Sequence, residues 1–308
     1  MTALLAGGLG IAVAPSRAQE AVPPITFKSS VDVVRVTAVV RDHKGRFVRD
    51  MVAGDFQVFD AGQPKRISEF RTDLSGVSIA LLFDVSGSME SKLGNAREAA
   101  NHVLSWLDER EDEAAIYTFD THLDEVTPFT TKLKVLPSSL SSLVPFGATS
   151  LHDAIAATAK RVAAREGRRH AVVVLTDGAD NASRLSSAEV SGIASQIDVP
   201  VYIFGIVPGI DNPDSEEATS SASRSALGGD LSDLATWTGG HVFVASTPGQ
   251  RSIAARQIID ELRHQYLIAF ESSGAPGWHP LVVKARDKDL TVRARSGYIA
   301  GQSRPNTH

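Results

Sequence analysis

Val77-Ser-Ile-Ala-Leu-Leu-Phe-Asp84-Val-Ser86-Gly-Ser88-Met89 is the stretch whose reading sets the fold. Residues 77–83 read as a buried strand. It delivers the Asp84 carboxylate and then the Ser86 and Ser88 hydroxyls into a glycine-containing turn that opens a helix. One carboxylate and two hydroxyls, all oxygen donors, suit a hard divalent cation that keeps part of its water shell, and Mg2+ fits best.

Beyond this stretch, apolar strands alternate with amphipathic helices. Leu93, Ala96, Ala100, Val103, Leu104 and Leu107 recur at helical spacing, with Arg97 and Glu98 on the outside. The pattern continues as a strand at 114–119, a helix at 151–164, a strand at 171–176 and a helix at 187–197 entered through the capping box Ser186-x-x-Glu189. A strand at 201–206, a short helix at 230–238 stopped by Gly239-Gly240, a strand at 242–245 and a helix at 252–264 complete it. This alternation predicts an α/β fold: a Rossmann-like, doubly wound, mostly parallel sheet with helices on both faces. Ligands of such sheets bind outside the carboxyl ends of the strands. Asp84 sits at one such end, and Asp177 ends a second apolar strand in Ala171-Val-Val-Val-Leu-Thr-Asp177-Gly. Between them, Thr149 stands at the start of a helix.

Taken singly, these features have ordinary explanations. Asp-x-Ser-x-Ser is often a turn with a serine cap, Asp-Gly an ordinary strand-ending turn, and Thr149 another cap. Their occurrence together, in order and at the ends of the right elements, favours a cation site with oxygen ligands. Asp153 and Asp180 are candidates to orient water or a hydroxyl there, and equally candidates for solvated or helix-stabilising charges.

Asp84-x-Ser86-x-Ser88, Thr149 and Asp177 resemble the metal-ion-dependent adhesion site of von Willebrand factor type A domains, with all five positions matched. The resemblance covers residues 77 to about 264. The flanks resemble a family of secreted bacterial proteins, the acidobacterial type of VWFA-related proteins, through Asp42-x-Lys44-Gly45, Asp55-Phe56 and Arg295-Ser-Gly-Tyr298. The resemblance implies that the two serines and the threonine bind Mg2+ (or Mn2+) directly or nearly so and that the aspartates act partly through water. It further implies that an acidic residue of a protein ligand completes the shell. A cation held mainly by neutral hydroxyls keeps its charge unquenched, so an incoming Asp or Glu carboxylate gains more than at a carboxylate-rich cage. In A-type domains of the integrin class the last helix couples a shift to closure of the metal site, a motion the sequence alone does not specify here.

The flanks lose the helical period. Residues 31–41 alternate, with Val34, Val36, Ala38 and Val40 on one face, and strands follow at 55–59 and 67–70. So small a sheet buries too little apolar area to stand alone. Residues 265–271, 281–286 and 290–295 return to strand alternation and are expected to pair with it as a small sandwich-like β domain, the alternative being two unrelated β appendages. The expected organisation is a signal peptide at 1–18, an N-terminal β segment at 19–74, the A domain at 75–264, a C-terminal β segment at 265–301 and a frayed tail at 302–308. The signal peptide rests on the apolar run 2–14 and on Ser16-Arg17-Ala18 before Gln19, although no basic residue precedes Arg17. It implies a secreted or periplasmic protein. A polar insertion at 208–229, rich in Ser, Asp and Glu, leaves the sheet at the metal edge and is expected either to overhang the site and tune access or to be a plain surface loop.

Composition narrows the function. The chain of 308 residues is 43% apolar and 22% charged with a net charge of -5, which describes a globular protein without the basic stripe that nucleic acid demands. It has no cysteine, which excludes disulfides and zinc-thiolate sites. No segment approaches the ~20 apolar residues needed to span a bilayer, so no stable membrane span is expected in the mature chain. The nine histidines are scattered. There is no Gly-x-Ser-x-Gly elbow, no phosphate loop and no His-Glu-x-x-His. A Mg2+-dependent hydrolase or phosphotransferase using Asp84 would need a second acid two residues on, where Ser86 stands. The sequence therefore favours a non-enzymatic, metal-dependent protein-binding module for adhesion or assembly. That hydrolase, and a scaffold whose metal only stabilises the fold, remain as alternatives.

Overall fold

β-branched and apolar residues at every second position make the first strand, β1 (Val33–Arg41), which turns Val34, Val36, Ala38 and Val40 inward. This computed structural model describes residues 33–72, 76–165, 167–196, 198–207, 229–272 and 276–300. The expected signal peptide, the bulk of the 208–229 insertion and the C-terminal tail lie outside the described residues.

Three short strands follow: β2 (Phe56–Asp60), β3 (Gln63–Lys65) and β4 (Ile67–Arg71). The βα alternation then begins with β5 (Val77–Asp84), α1 (Leu93–Ser105), β6 (Glu113–Phe119) and β7 (Leu123–Thr130). It continues through α2 (Leu151–Ala163), β8 (Arg169–Thr176), α3 (Ser187–Gln196) and β9 (Val201–Ile206). α4 (Gly229–Thr238), β10 (Val242–Ala245) and α5 (Pro248–Arg263) close it. The chain ends in β11 (Gln265–Glu271), β12 (Gly277–Ala285), β13 (Thr291–Ala294) and β14 (Gly297–Ala300).

The central sheet runs in the order β10-β9-β8-β5-β6-β7. All neighbours in it are parallel except the antiparallel edge pair β6 and β7. Every residue of β5 is buried, because helices cover both faces. Ile79, Leu81 and Phe83 point into one apolar layer with Leu93, Val103 and Leu104 of α1 and Ile258, Ile259 and Leu262 of α5. Ala80 and Leu82 point into the other, with Ile155 and Val162 of α2, Val190 of α3 and Leu234 of α4. Each such Leu, Ile or Phe contributes roughly 1.5–3 kcal/mol on burial. Where α4 gives way to β10, Gly240 approaches β9 so closely that a Cβ would stand 2.0 Å from the Val201 carbonyl oxygen.

The two ends of the chain form two further sheets, in the orders β13-β1-β11-β4 and β14-β12-β2-β3. β1 pairs antiparallel with β11, setting Val36 opposite Ile268, and β2 pairs antiparallel with β12, setting Val58 opposite Val283. N- and C-terminal strands thus pair within each sheet, alternating in the first and meeting at β12 and β2 in the second, so they are not unrelated appendages. One apolar cluster joins Val36, Val40, Ile268 and Phe270 of the first sheet to Phe56, Val58 and Leu281 of the second. Each sheet is too small to bury its own apolar face, and the other supplies the cover.

Several elements depart from the sequence expectation. β7 was not expected: its sequence is polar and contains Pro128, both tolerable because it is an edge strand. α5 starts at Pro248 rather than 252. Thr247 caps it by accepting from the Gln250 backbone N–H, Gln250 returns the bond in a capping box, and Pro248 sits where its missing N–H is harmless. β12 begins at Gly277 and β14 is an additional strand, short and at a sheet edge.

Charges fasten α5 to the β layers. Glu261, 3% exposed, accepts from Arg41 Nη2 of β1 at 2.9 Å and also from the guanidinium of Arg293 on β13. Burial pushes the Glu261 carboxyl upward, but Arg293 and Arg41 overcome it and hold the group below the usual carboxylate range.

Candidate metal centre

Asp84 closes β5 at the carboxyl edge of the central sheet, flanked by β6 and β8. Its side chain is fully buried. One carboxylate oxygen accepts from the Ser86 backbone N–H at 2.9 Å, and the other from the Thr176 hydroxyl at 2.7 Å. Among the described residues it has no ion-pair partner. Burial therefore raises its pKa. The Ser86 and Thr176 hydrogen bonds work against that rise, and the Asp177 charge adds to it.

The turn after β5 is a short 3-10 segment, Gly87–Met89, held down by the fully buried Met89 side chain. Ser86 is buried and Ser88 exposed, with their hydroxyl oxygens 3.2 Å apart. Thr149, 1% exposed, lies just ahead of α2. Its loop is stitched to the serine turn by the backbone: Phe146 N–H donates to Val85 O at 2.9 Å and Gly87 N–H to Gly147 O at 3.2 Å. Gly147 takes a φ of 84°, in the region that favours glycine. On the other side, the N–H of Thr149 donates to Asn181 Oδ1 at 2.8 Å, and its carbonyl accepts from the N–H groups of Asn181 and Ala182, each at 3.0 Å. Asp177 follows β8 directly and is half-buried. Its Oδ2 accepts from Lys92 Nζ at 2.7 Å.

The chain thus brings the loops bearing Asp84, Ser86, Ser88, Thr149 and Asp177 to one end of the sheet and ties them together through main-chain bonds. Asp153 and Asp180 serve a neighbouring loop instead. Asp153 accepts from the N–H groups of Arg184 and Leu185 at 3.1 and 3.0 Å, and Asp180 accepts from His152 N–H at 2.9 Å and Ser183 N–H at 3.1 Å. Both anchor residues 180–185 to the start of α2. Sequence reasoning missed Thr176, Asn181 and Lys92. Thr176 had a signal, being the strand-end hydroxyl next to Asp177, whereas the Lys92–Asp177 pair joins residues 85 apart and had none.

No three His, Asp or Glu side chains gather as a metal cluster among the described residues. The donors at the sheet end are instead carboxylate and hydroxyl oxygens, and each hydroxyl oxygen has two lone pairs to offer. This chemistry fits a hard divalent cation and does not fit zinc or copper.

Residues 79–179 match a family model described as the von Willebrand factor type A domain. Among solved structures, the chain is similar to an aerotolerance-related membrane protein from Bacteroides fragilis at 18% identity, covering 61% of this chain and 98% of that one with a TM-score of 0.47. It is similar to BatB from Bacteroides thetaiotaomicron at 18% identity over the same shares, with a TM-score of 0.45. The VWA domain of SpRpn10 matches at 14% identity, over 58% of this chain and 94% of that one, with a TM-score of 0.40. No curated protein matches the chain.

Proposed function

Since the chain carries a von Willebrand factor type A domain, an interaction module in general rather than an enzyme, we propose that it is a metal-dependent protein-binding module for adhesion or assembly. In this reading Ser86, Ser88 and Thr149 hold Mg2+ or Mn2+ through their hydroxyls, and Asp84 and Asp177 act partly through water. When bound, the ion supplies a positive centre for an Asp or Glu carboxylate of a protein partner. The observation that carries the reading is the stitching of these loops at the carboxyl edge of β5 and β8, where open α/β sheets take their ligands. The chain's own residues do the positioning. Thr176 and the Ser86 N–H fix the Asp84 carboxylate, and Gly147 lets the Thr149 loop come down on the serine turn.

Asp84 is badly placed to be a nucleophile. Both its oxygens accept hydrogen bonds, it is fully buried, and Ser86 cannot protonate a leaving group as an acid would. The module is further read as secreted or periplasmic, on the sequence of residues 1–18; among the described residues no helix is long and apolar enough to cross a membrane.

Calorimetric titration of Mg2+ and Mn2+ into the protein tests the metal reading: saturable binding near one ion per chain is expected, and its absence from the folded protein would remove the reading. The rim of the site gives a second handle. Val144 and Phe146, each 80% exposed, stand on the loop leading to Thr149. A partner seated over the ion would cover them, and a buried aromatic contact is often dominant at such interfaces. Phe146→Ser is therefore expected to weaken binding of a carboxylate-bearing partner about tenfold or more. Mg2+ affinity should stay within about twofold, as read by calorimetry of each step. Equal partner affinity would put the contact elsewhere.

A further inference from the structure

Lys92 is the residue just ahead of α1, where its side chain makes no capping bond, and its backbone N–H donates to Met89 O at 2.9 Å. Its side chain reaches away from that helix to the loop after β8, where Nζ lies 2.7 Å from Asp177 Oδ2, with 23% of the lysine side chain and 8% of the aspartate side chain exposed. Asp177 is one of two carboxylates at the candidate site. The other, Asp84, accepts from the neutral donors Ser86 N–H and Thr176 hydroxyl and has no ion-pair partner among the described residues. The ammonium is thus a unit positive charge set by the chain itself against a site that otherwise gathers negative charge. Its flexible stem allows the charge to leave without disturbing the backbone turn that positions Ser86 and Ser88.

Resting on the metal reading above, we propose that Lys92 is an internal competing cation: a divalent ion that engages Asp177 displaces its ammonium, so the Lys92–Asp177 pair sets how tightly the site takes metal. Two carboxylates converging without a cation repel one another, and a partly buried carboxylate with no partner is costly. Lys92 relieves both penalties and so lowers the gain left for an arriving ion. A lysine suits this use better than an arginine. Its ammonium is a point charge on a mobile chain, whereas a guanidinium would grip the carboxylate with two donors.

The test compares Mg2+ and Mn2+ titrations of the wild type, Lys92→Met and Lys92→Arg by calorimetry, with folding checked by thermal melting. Methionine keeps the stem and drops the charge. Its variant is expected to bind at least about tenfold more tightly, equivalent to about 1.4 kcal/mol, while the arginine variant binds no more tightly than the wild type. A second readout needs no variant. The rate at which an amine-acylating reagent modifies Lys92, followed by peptide mass spectrometry, should rise several-fold when Mg2+ is added to the wild type. Equal affinity of wild type and Lys92→Met, or weaker binding by the methionine variant, would overturn the role of Lys92 and leave the metal reading intact. Binding by Lys92→Met alone would support both. If neither binds metal and acylation ignores Mg2+, the metal reading falls and this inference falls with it.

Discussion

Glu261→Ala is expected to lower the unfolding free energy by about 3–5 kcal/mol, the usual cost of removing one partner of a buried ion pair. Glu261 is 3% exposed and compensates Arg41 and Arg293 together. Its loss would leave the Arg41 and Arg293 guanidiniums, both partly exposed, without the buried carboxylate they share in the seam between α5 and the β layers, beside Tyr202, whose hydroxyl pKa burial and Glu261 already push upward. The cost should appear as a lower midpoint in urea with little change in slope, because the surface exposed on unfolding is nearly the same. It should also shrink with acid. The folded pKa of Glu261 is depressed below its unfolded value, so the stability it contributes is fully present above the unfolded pKa. That contribution is lost as the pH falls through the depressed folded value. Wild type and variant should therefore begin to converge once the pH falls below the unfolded carboxylate range and meet only below the depressed folded value. A loss under about 1 kcal/mol at pH 7 would mean that the seam is solvated and contributes little to holding α5 on the β layers.

That seam also bears on how the site is framed. α5 supplies Ile258, Ile259 and Leu262 to one face of the central sheet, and Gln265 begins β11 almost immediately after it. β11 lies inside a sheet, between β1 and β4. A displacement of α5 along its axis would have to pull β11 out of register with both neighbours and break the Glu261 contacts. The last helix is thus covalently and electrostatically committed to the β layers.

What the sequence revealed and what it hid follow one physical division. The buried strands were legible because burial on both faces favours near-continuous apolar runs, as in residues 79–83 of β5 and 171–175 of β8. The strand-end positions of Asp84 and Asp177 followed, since a carboxylate ending such a run has nowhere else to be. The pairing of the chain's two ends was legible from insufficiency: few strands with one apolar face each needed cover. β7 was hidden because an edge strand is free to be polar and to carry Pro128. The true start of α5 was hidden because Pro248-Gly249 reads as a breaker until the Thr247 and Gln250 exchange is seen. Lys92 was hidden most completely. A lysine following a turn looks like a solvated charge, and only the tertiary fold delivers its ammonium to Asp177.

Asp84→Asn is expected to abolish Mg2+ binding, lowering affinity by roughly 100-fold or more, while leaving the protein folded and at least as stable. The two halves of this expectation have one cause. Among the described residues Asp84 is a buried charge answered by neutral hydrogen-bond donors and no cation, and a charge in that position is tolerated by the fold rather than needed by it. Asparagine has nearly the same shape, and its carbonyl oxygen can keep one of the two bonds, to Ser86 N–H. Its amide can donate to the Thr176 hydroxyl oxygen, provided that hydroxyl turns its proton elsewhere. Removing the charge removes the burial penalty, so the melting temperature of the metal-free variant should equal or exceed that of the metal-free wild type. A cation gains nothing comparable from a neutral amide, and the hydroxyls of Ser86, Ser88 and Thr149 alone do not repay its lost water. Calorimetry with parallel thermal melts, with and without Mg2+, separates the outcomes. Lost binding with retained stability assigns Asp84 to the ion. Retained binding would move the ion away from β5 altogether. A large loss of stability in the metal-free variant would make Asp84 a structural residue. If chelation then destabilised the wild type without weakening any partner, the scaffold reading would replace the binding module.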